Sequence, residues 1–330
     1  MRTFSIVGAG AWGTALAQSM ALAGRPVTLW ARAATLADEI NRFHHNERRL
    51  PGIPLDPRLR ATADIAEAAR ADVIILAPPS PHMRATAGLL KPYLQPTSEL
   101  VIGTKGFEQG TGEGMARVVL EATGKSSAVL SGPGFASEVA RGLPAALVLA
   151  AFDLRTAGKL GNAIGHRDLR IYFSQDLIGV QAGGAAKNVL AIAAGIVAGR
   201  KLGASAHAAL VTRGFRELSQ FVRGCGGQRE TISGLSCLGD LILTCNSPQS
   251  RNFTFGRHLG EGRTVAEALV TTGGTVEGIY ATAAVVKHAA EGKGHPDMPI
   301  ATAVHRIVTG QLTVDQAIDA LAGRPQKAES

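Results

Sequence analysis

A glycine-rich segment near the start of this 330-residue chain, GAGAWG at residues 8–13, restricts the fold more than any other part of the sequence. The residues before it, Phe4–Val7, form a short apolar run typical of a strand, and residues 14–23 have the composition of a helix. In such a unit, the first glycine permits a tight turn, the second lets the backbone approach a phosphate, and the third lets the helix pack closely on the strand. The free N–H groups at the start of the helix would then face that phosphate. The pattern therefore predicts a dinucleotide-binding unit, with an ordinary glycine-rich turn as the alternative.

Short aliphatic strands alternate with helical stretches over the first half of the chain. Residues 72–77, DVIILA, form a continuous aliphatic run, which is typical of a parallel strand covered on both faces. This alternation predicts an α/β domain over residues 1–175, a Rossmann-type doubly wound sheet. The other predicted strands cover residues 27–30, 62–63, 100–103, 128–130, 145–150 and 170–173.

After Ser174 the pattern becomes helical. Residues 176–199 are apolar, rich in alanine and glycine and free of proline, which predicts a long helix buried in the centre of a helical domain. Only residues 241–244 have some strand character. We therefore predict an all-helical, substrate-binding C-terminal domain over residues 176–330. Further helices are predicted at residues 204–222, 253–259, 265–270, 277–291, 300–308 and 314–321.

Composition and charge exclude several functional classes. Aromatic residues make up 5% of the chain, too few for a protein that stacks single-stranded bases. The net charge of +8 is compatible with nucleic-acid binding, but the longest basic runs are the pairs Arg48-Arg49 and Arg200-Lys201. Such scattered charge is typical of an ordinary surface, so we expect no nucleic-acid partner.

Cysteine usage and hydropathy predict a cytoplasmic protein. Cys225, Cys237 and Cys245 are too widely spaced for a CxxC redox or zinc motif, so no metal site is expected. An odd cysteine count without a signal peptide fits a reducing compartment. The longest strongly apolar stretch, residues 189–198, is about half of the ~20 residues that span a bilayer, so we expect no membrane span.

Arg32 occupies the region, about 20 residues after the glycine segment, where an NAD-specific fold carries an acidic residue. A carboxylate there repels a 2′-phosphate, whereas a guanidinium binds it. We therefore expect the protein to accept NADP as well as NAD. The alternatives are that Arg32 stacks on adenine or lies in solvent.

Two loops follow predicted strands at the sheet edge where such folds bind ligands. Thr104-Lys105-Gly106 follows the strand at residues 100–103, and SGPGFA at residues 131–136 follows the next one. The glycines could expose backbone N–H groups to an anion. Tight loops without a ligand are the alternative.

Lys187 belongs to the segment GGAAKN, residues 183–188, inside the long apolar helix. Two glycines in mid-helix cost about 2 kcal/mol relative to alanine, so we expect a ligand or the other domain to come close there. Among apolar neighbours the pKa of an ammonium group falls towards the range of a general base. The alternative is a lysine that extends to the surface.

Residues 239–252 contain further polar residues that could belong to a binding site. Ser250 could cap a helix that begins at about Arg251, and that helix start together with Arg251 would bind a phosphate. Asp240 could pair with a buried cation or could cap a turn.

These segments resemble the bacterial NAD(P)-dependent glycerol-3-phosphate dehydrogenases. GAGAWG, TKGFE, SGPGFA, GGAAKN, LGDLILTC followed by QSRN, and VEG occur in the order of that family, from about residue 4 to residue 309. The resemblance implies oxidation of sn-glycerol 3-phosphate to dihydroxyacetone phosphate with NAD or NADP, run physiologically in reverse to supply phospholipid synthesis. QSRN and LGDL favour this family over 6-phosphogluconate and 3-hydroxyisobutyrate dehydrogenases, which share a glycine loop and a lysine on a helix. A catalytically silent nucleotide sensor would not need Lys187, Asp240 and Arg251 together.

The resemblance also implies roles for individual residues. Lys187 matches the proton acceptor of the family, and the implied partner is a small phosphorylated substrate, with a homodimer left open. The residues that match substrate contacts are Lys105, Gly132, Gly134, Lys187, Asp240, Ser250, Arg251 and Asn252. The residues that match cofactor contacts are Gly8, Gly10, Ala11, Trp12, Gly13, Arg32, Lys105, Ala136, Arg251, Val276 and Glu277.

The sequence departs from the family at three positions. Gly134 stands where the family usually carries Ser or Thr, so only a backbone contact to substrate is expected there. Ala11 replaces a common serine in the glycine loop, which removes one hydroxyl from the phosphate site. Arg49 occupies a position where we expect an aromatic residue.

Overall fold

The computed structural model describes residues 2–291 and 297–325. Within them, a single eight-stranded sheet is followed by a helical region that begins directly after the last strand. The strands are β1 Phe4–Val7, β2 Val27–Trp30, β3 Arg60–Thr62, β4 Val73–Leu76, β5 Glu99–Ile102, β6 Ser127–Ser131, β7 Ala145–Ala150 and β8 Leu169–Ser174.

Among the described residues, seven α-helices connect or flank the strands and nine α-helices follow β8. The first set is α1 Ala11–Leu22, α2 Ala34–Phe43, α3 Ile65–Ala68, α4 Met83–Leu90, α5 Met115–Thr123, α6 Ala136–Ala140 and α7 Leu154–Ile164. The second set is α8 Leu177–Gly199, α9 Ala204–Gly224, α10 Arg229–Ile232, α11 Asp240–Cys245, α12 Arg251–Gly260, α13 Val265–Thr272, α14 Glu277–Glu291, α15 Pro299–Val308 and α16 Val314–Ala322.

The strand order is β3-β2-β1-β4-β5-β6-β7-β8, which confirms the doubly wound sheet. Neighbouring strands are parallel except β6 and β7, which are antiparallel. Strand β1 has β2 on one side and β4 on the other, because the chain builds β2 and β3 outwards in one direction and then crosses over to β4. The carboxyl end of β1 therefore lies at a topological switch point, where such sheets bind ligands. All four residues of β4 are buried, as its continuous aliphatic run predicted.

Helix α8 is the buried centre of the helical region, as predicted. Its N-terminus is capped by Asp176, whose side chain accepts a hydrogen bond from the Gly179 N–H. By length and composition α8 could cross a membrane, but 89% of its apolar window is buried by other parts of the same chain. This is the environment of a core helix in a soluble protein.

Helices α8 and α12 pack backbone to backbone through glycines spaced four residues apart on each helix. A Cβ atom on Gly195 would lie 2.0 Å from the Phe253 carbonyl oxygen, and one on Gly256 would lie 2.0 Å from the Ile192 carbonyl oxygen. Because a side chain at these positions would separate the helices, the glycines determine how closely the start of α12 approaches α8.

Two local predictions need correction. Residues 241–244, which had some strand character, belong to helix α11. An aliphatic run of this length does not distinguish strand from helix, and the buried positions Leu241, Thr244 and Cys245 follow helical spacing. The third strand, predicted at residues 62–63, lies at Arg60–Thr62, and helix α3 after it is capped by Asp64.

Candidate active site

The glycine loop after β1 has the packing that a dinucleotide requires. Gly8 has φ +123° and lies against the backbone of Ala77, and a Cβ atom on Gly13 would lie 1.9 Å from the Gly8 carbonyl oxygen. A Cβ atom on Gly10 would meet nothing within 4 Å, so this position faces open space. Helix α1 begins at Ala11 without a side-chain cap or an acidic residue in its first turn. Its free N–H groups therefore suit a bound diphosphate.

Asp240 joins two lysines from distant parts of the sequence. Its Oδ1 lies 3.1 Å from Lys187 Nζ and its Oδ2 lies 2.7 Å from Lys105 Nζ. Lys105 also donates a hydrogen bond of 2.7 Å to the Gly132 carbonyl oxygen, at the carboxyl end of β6. The Lys187 and Asp240 side chains are 4% and 1% exposed, whereas Lys105 is 18% exposed. The buried-cation alternative for Asp240 is therefore the one observed, and Lys187 does not extend to the surface.

Burial lowers the pKa of Lys187 to about 8. The carboxylate of Asp240 opposes this shift, because a negative neighbour stabilises the ammonium form. The charge of Lys105 lowers the pKa further. Lys187 can therefore exchange a proton near neutral pH, as a general acid or base must.

The two glycines before Lys187 let α8 approach its neighbours. A Cβ atom on Gly183 would lie 1.9 Å from Cys237 Sγ, and one on Gly184 would lie 2.4 Å from the Ser131 Oγ at the end of β6. The expected close approach to the sheet region therefore occurs at Gly184. One helical turn later, Lys187 faces the same end of the sheet.

Asn252 connects three helices beside Lys187. Its amide nitrogen donates a hydrogen bond of 2.9 Å to Asn188 Oδ1 on α8, and its amide oxygen accepts one of 2.9 Å from the Gly278 N–H on α14. Ser250 caps α12, as predicted, by accepting a hydrogen bond from the Phe253 N–H. Sequence reasoning missed Asn188, although it directly follows Lys187 in the GGAAKN segment.

Arg251 and Glu277 lie together where the first turns of α12 and α14 meet the loop after β4. The Glu277 carboxylate accepts hydrogen bonds from both the N–H and the hydroxyl of Ser80. Burial raises the pKa of Glu277, and the Ser80 hydrogen bonds and the Arg251 charge oppose that shift. Burial also lowers the pKa of Arg251, against the effect of the Glu277 charge. Sequence reasoning missed Ser80 as well. The feature that could have indicated it is the proline-rich segment, residues 78–81, that follows β4 at the ligand-binding edge of the sheet.

Trp12 lies beside Lys105. The Lys105 Nζ is 5.9 Å from the centroid of the indole ring, and a Cβ atom on Gly134 would lie 3.5 Å from that ring. The glycine at position 134 therefore leaves space next to Trp12. Ala136 is the first residue of the short helix α6, and Val276 is buried beside Glu277.

The structure brings most of the predicted residues together at the carboxyl edge of β1, β4, β5 and β6. Arg32 is the exception, because it is exposed and follows the end of β2. The end of β2 adjoins the glycine loop, since the Gly8 N–H donates a hydrogen bond to the Trp30 carbonyl oxygen. This is the side on which the adenosine end of a dinucleotide lies in such folds. Within residues 2–291 and 297–325, the Arg32 side chain has no hydrogen-bond or ion-pair partner.

Comparison with known proteins identifies the relatives of this chain. Residues 3–157 match the N-terminal family model of NAD-dependent glycerol-3-phosphate dehydrogenase, and residues 176–319 match its C-terminal model. The glycerol-3-phosphate dehydrogenase [NAD(P)+] of Parvibaculum lavamentivorans is 51% identical, over 100% of this chain and 98% of the relative. The relative of the same name from Bradyrhizobium sp. strain BTAi1 is 52% identical, over 99% of this chain and 98% of its own.

Solved structures agree with the sequence relatives. The crystal structure of glycerol-3-phosphate dehydrogenase from Coxiella burnetii superposes with a TM-score of 0.92 at 38% identity, covering 98% of this chain and 99% of the other. A ketopantoate reductase from Ralstonia eutropha, at 16% identity and a TM-score of 0.60, shares the fold alone. On its sequence and its structure, the chain belongs to the NAD-dependent glycerol-3-phosphate dehydrogenase family.

Proposed function

We propose that this protein is an NAD(P)-dependent sn-glycerol-3-phosphate dehydrogenase that interconverts sn-glycerol 3-phosphate and dihydroxyacetone phosphate. Family membership over nearly the whole chain supports this function. The observation that carries it is the Lys105–Asp240–Lys187 cluster, which lies beside the glycine loop at the ligand edge of the sheet.

Oxidation of the substrate removes a hydride from its C2 carbon and a proton from the C2 hydroxyl. When bound, the nicotinamide cofactor accepts that hydride, and in its reduced form it returns one. Neutral Lys187 takes the hydroxyl proton during oxidation, and protonated Lys187 gives it to the carbonyl oxygen during reduction. Asp240 holds the Lys187 ammonium group in position, and Lys105 contributes a second cation beside the reacting oxygen.

The remaining residues bind the substrate and cofactor. We assign the substrate phosphate to the start of α12, where Ser250, Arg251 and Asn252 lie, because N–H groups and a guanidinium both favour an anion. The backbone of Gly132 and Gly134 completes the substrate site. The residues assigned to the cofactor are Gly8, Gly10, Ala11, Trp12, Gly13, Arg32, Lys105, Ala136, Arg251, Val276 and Glu277.

Several broader features belong to this proposal. The cofactor-binding domain covers residues 1–175 and the substrate-binding domain residues 176–330; residues 1, 292–296 and 326–330 lie outside the described part. Reduction of dihydroxyacetone phosphate in the cytoplasm, to supply phospholipid synthesis, is the physiological direction that we infer. NADP and NAD are both accepted, with Arg32 favouring NADP.

A spectrophotometric assay tests the function. The purified protein is mixed with NADPH or NADH and with dihydroxyacetone phosphate, and oxidation of the cofactor is followed. We expect turnover with this substrate, and none in the oxidative direction with 6-phosphogluconate or 3-hydroxyisobutyrate. Turnover of either of those acids, without turnover of dihydroxyacetone phosphate, would contradict the assignment.

A further inference from the structure

The loop between α2 and β3 is fixed over the start of α1. Asn46 is fully buried, and its amide nitrogen donates hydrogen bonds to the Ala9 carbonyl oxygen at 3.1 Å and to Thr14 Oγ1 at 2.9 Å. Further along the loop, the Asp56 N–H donates to Gln18 Oε1 at 2.7 Å. The loop is therefore bound both to the glycine loop and to the helix that follows it.

Arg49 projects from the turn that Asn46 begins. Its N–H donates a hydrogen bond of 3.0 Å to the Asn46 carbonyl oxygen. The residue is exposed, and its guanidinium has no hydrogen-bond or ion-pair partner among the described residues. An arginine without a partner, on a turn held against the glycine loop, can reach a ligand bound there.

Arg49 lies close enough to Arg251 for the two positive charges to interact. Burial is the main cause that lowers the pKa of Arg251, and the positive charge of Arg49 lowers it further. The start of α1 carries no cap and no carboxylate in its first turn. Glu277 is the carboxylate that acts on Arg251, and both of its oxygens are engaged by Ser80. An anion bound between Arg49 and Arg251 would be stabilised by both guanidinium charges.

We propose that Arg49 binds the diphosphate of the NAD(P) cofactor at the glycine loop. This inference rests on the proposed function, since it requires the nucleotide at the glycine loop. It gives a role to the position where the resemblance led us to expect an aromatic residue. At this position Arg49 contributes a positive charge, which an aromatic side chain would not.

The diphosphate is favoured over the 2′-phosphate by the position of the Asn46 contact. Asn46 binds the Ala9 carbonyl, between Gly8 and Gly10, in the segment that approaches the diphosphate. The 2′-phosphate belongs near the end of β2, where Arg32 lies. Arg49 should therefore affect NADH and NADPH equally.

The test is direct binding of NADH, NADPH and ADP-ribose to the full-length protein, by calorimetry at low salt. Arg49→Gln should weaken all three ligands by about tenfold, because each contains the diphosphate. Arg48→Gln is the matched control, since Arg48 is the adjacent exposed arginine, and it should leave all three affinities close to those of the unmodified protein. Added salt should reduce the difference between the Arg49 variant and the unmodified protein.

Each other outcome has a distinct meaning. If the unmodified protein binds neither NADH nor NADPH, the proposed function fails. If it binds both and Arg49→Gln binds them equally well, the proposed function stands and the role of Arg49 is wrong. If only NADPH binding weakens, Arg49 serves the 2′-phosphate and the diphosphate assignment is overturned. Thermal unfolding of both variants checks that their folds are unchanged.

Discussion

Lys187 Nζ lies 3.1 Å from Asp240 Oδ1, and both side chains are almost completely withdrawn from solvent. The other oxygen of the same carboxylate lies 2.7 Å from Lys105 Nζ, so one negative charge is shared by two ammonium groups. Because burial and the second cation outweigh that shared charge, the pKa of Lys187 falls to about 8. The arrangement keeps a buried amine that can hold or release a proton near neutral pH.

The forward and reverse reactions should depend on pH in opposite senses. Oxidation requires neutral Lys187, so its kcat should rise as pH increases through about 8, whereas reduction requires the ammonium form and should slow over the same range. Initial rates in both directions under saturating substrate measure the two profiles. Lys187→Met should reduce kcat by about 10²–10⁴-fold in either direction, with NADPH binding retained as a control for folding. Full turnover in that variant would exclude Lys187 from proton transfer.

Asp240→Asn should move the oxidation profile to lower pH. The substitution removes the charge that raises the pKa of Lys187 and leaves burial and Lys105, which both lower it. We expect the apparent pKa to fall by about one unit or more, along with a loss of rate from poorer positioning. Asp315→Asn, which removes a surface partner of Arg200, is the control and should leave the profile in place. An unshifted profile in the Asp240 variant would show that another group controls the rate.

Arg32→Ala should change the cofactor preference. If the guanidinium binds a 2′-phosphate, kcat/KM for NADPH should fall about tenfold while that for NADH stays nearly constant. Arg42→Ala, at an exposed arginine on α2, controls for the loss of one positive charge. Steady-state kinetics with both cofactors measure the ratio. A ratio that is unchanged by Arg32→Ala would remove this residue from the cofactor site.

Local sequence features predicted the elements that depend on local chemistry. The β4 strand followed from its aliphatic run, the buried α8 from its apolar composition, and the start of α12 from the Ser250 cap. The direction of β7 could not be predicted, because an aliphatic run reads the same for a parallel and an antiparallel neighbour.

The charge state of the site depends on contacts between distant segments. Lys105 and Asp240 are 135 positions apart, and no local pattern indicates that they meet. The burial of Lys187 follows from glycines that fit against Cys237 and Ser131, which the sequence of α8 alone does not reveal. Family resemblance supplied the expected roles of these residues, and the structure added that Lys105 and Lys187 share the carboxylate of Asp240.

The glycines between α8 and α12 should be essential for stability. A Cβ atom on Gly256 would lie 2.0 Å from a backbone oxygen, so Gly256→Ala should push the helices apart and reduce the free energy of unfolding by about 1–3 kcal/mol or more. Gly158→Ala on α7 is the matched control, because a Cβ atom there meets nothing within 4 Å and alanine favours a helix by about 0.5–1 kcal/mol. Thermal unfolding should therefore show opposite shifts for the two variants. Equal shifts would mean that the close helix contact does not contribute to stability.

Glu217 should make stability depend on pH. This buried carboxylate on α9 accepts hydrogen bonds from the Ile300 and Ala301 N–H groups at the start of α15, and burial raises its pKa from 4.5 to about 7. Between these two values the native protein keeps a proton that the unfolded chain releases. The contribution of Glu217 to stability should therefore fall as pH rises from about 4.5 through 7, by up to about 3 kcal/mol.

Glu217→Gln removes this titration and keeps an oxygen that can accept one of the two hydrogen bonds. Relative to the unmodified protein, the variant should be less stable near pH 5 and should become comparatively more stable at pH 8, where the native carboxylate is ionised and buried. Thermal unfolding at both pH values measures this difference, with Glu230→Gln at an exposed position as the control. Only a proton held by the folded state can make the difference in melting temperature between the variant and the unmodified protein vary with pH. If Glu217→Gln changes the melting temperature by the same amount at both pH values, Glu217 does not titrate between pH 5 and pH 8.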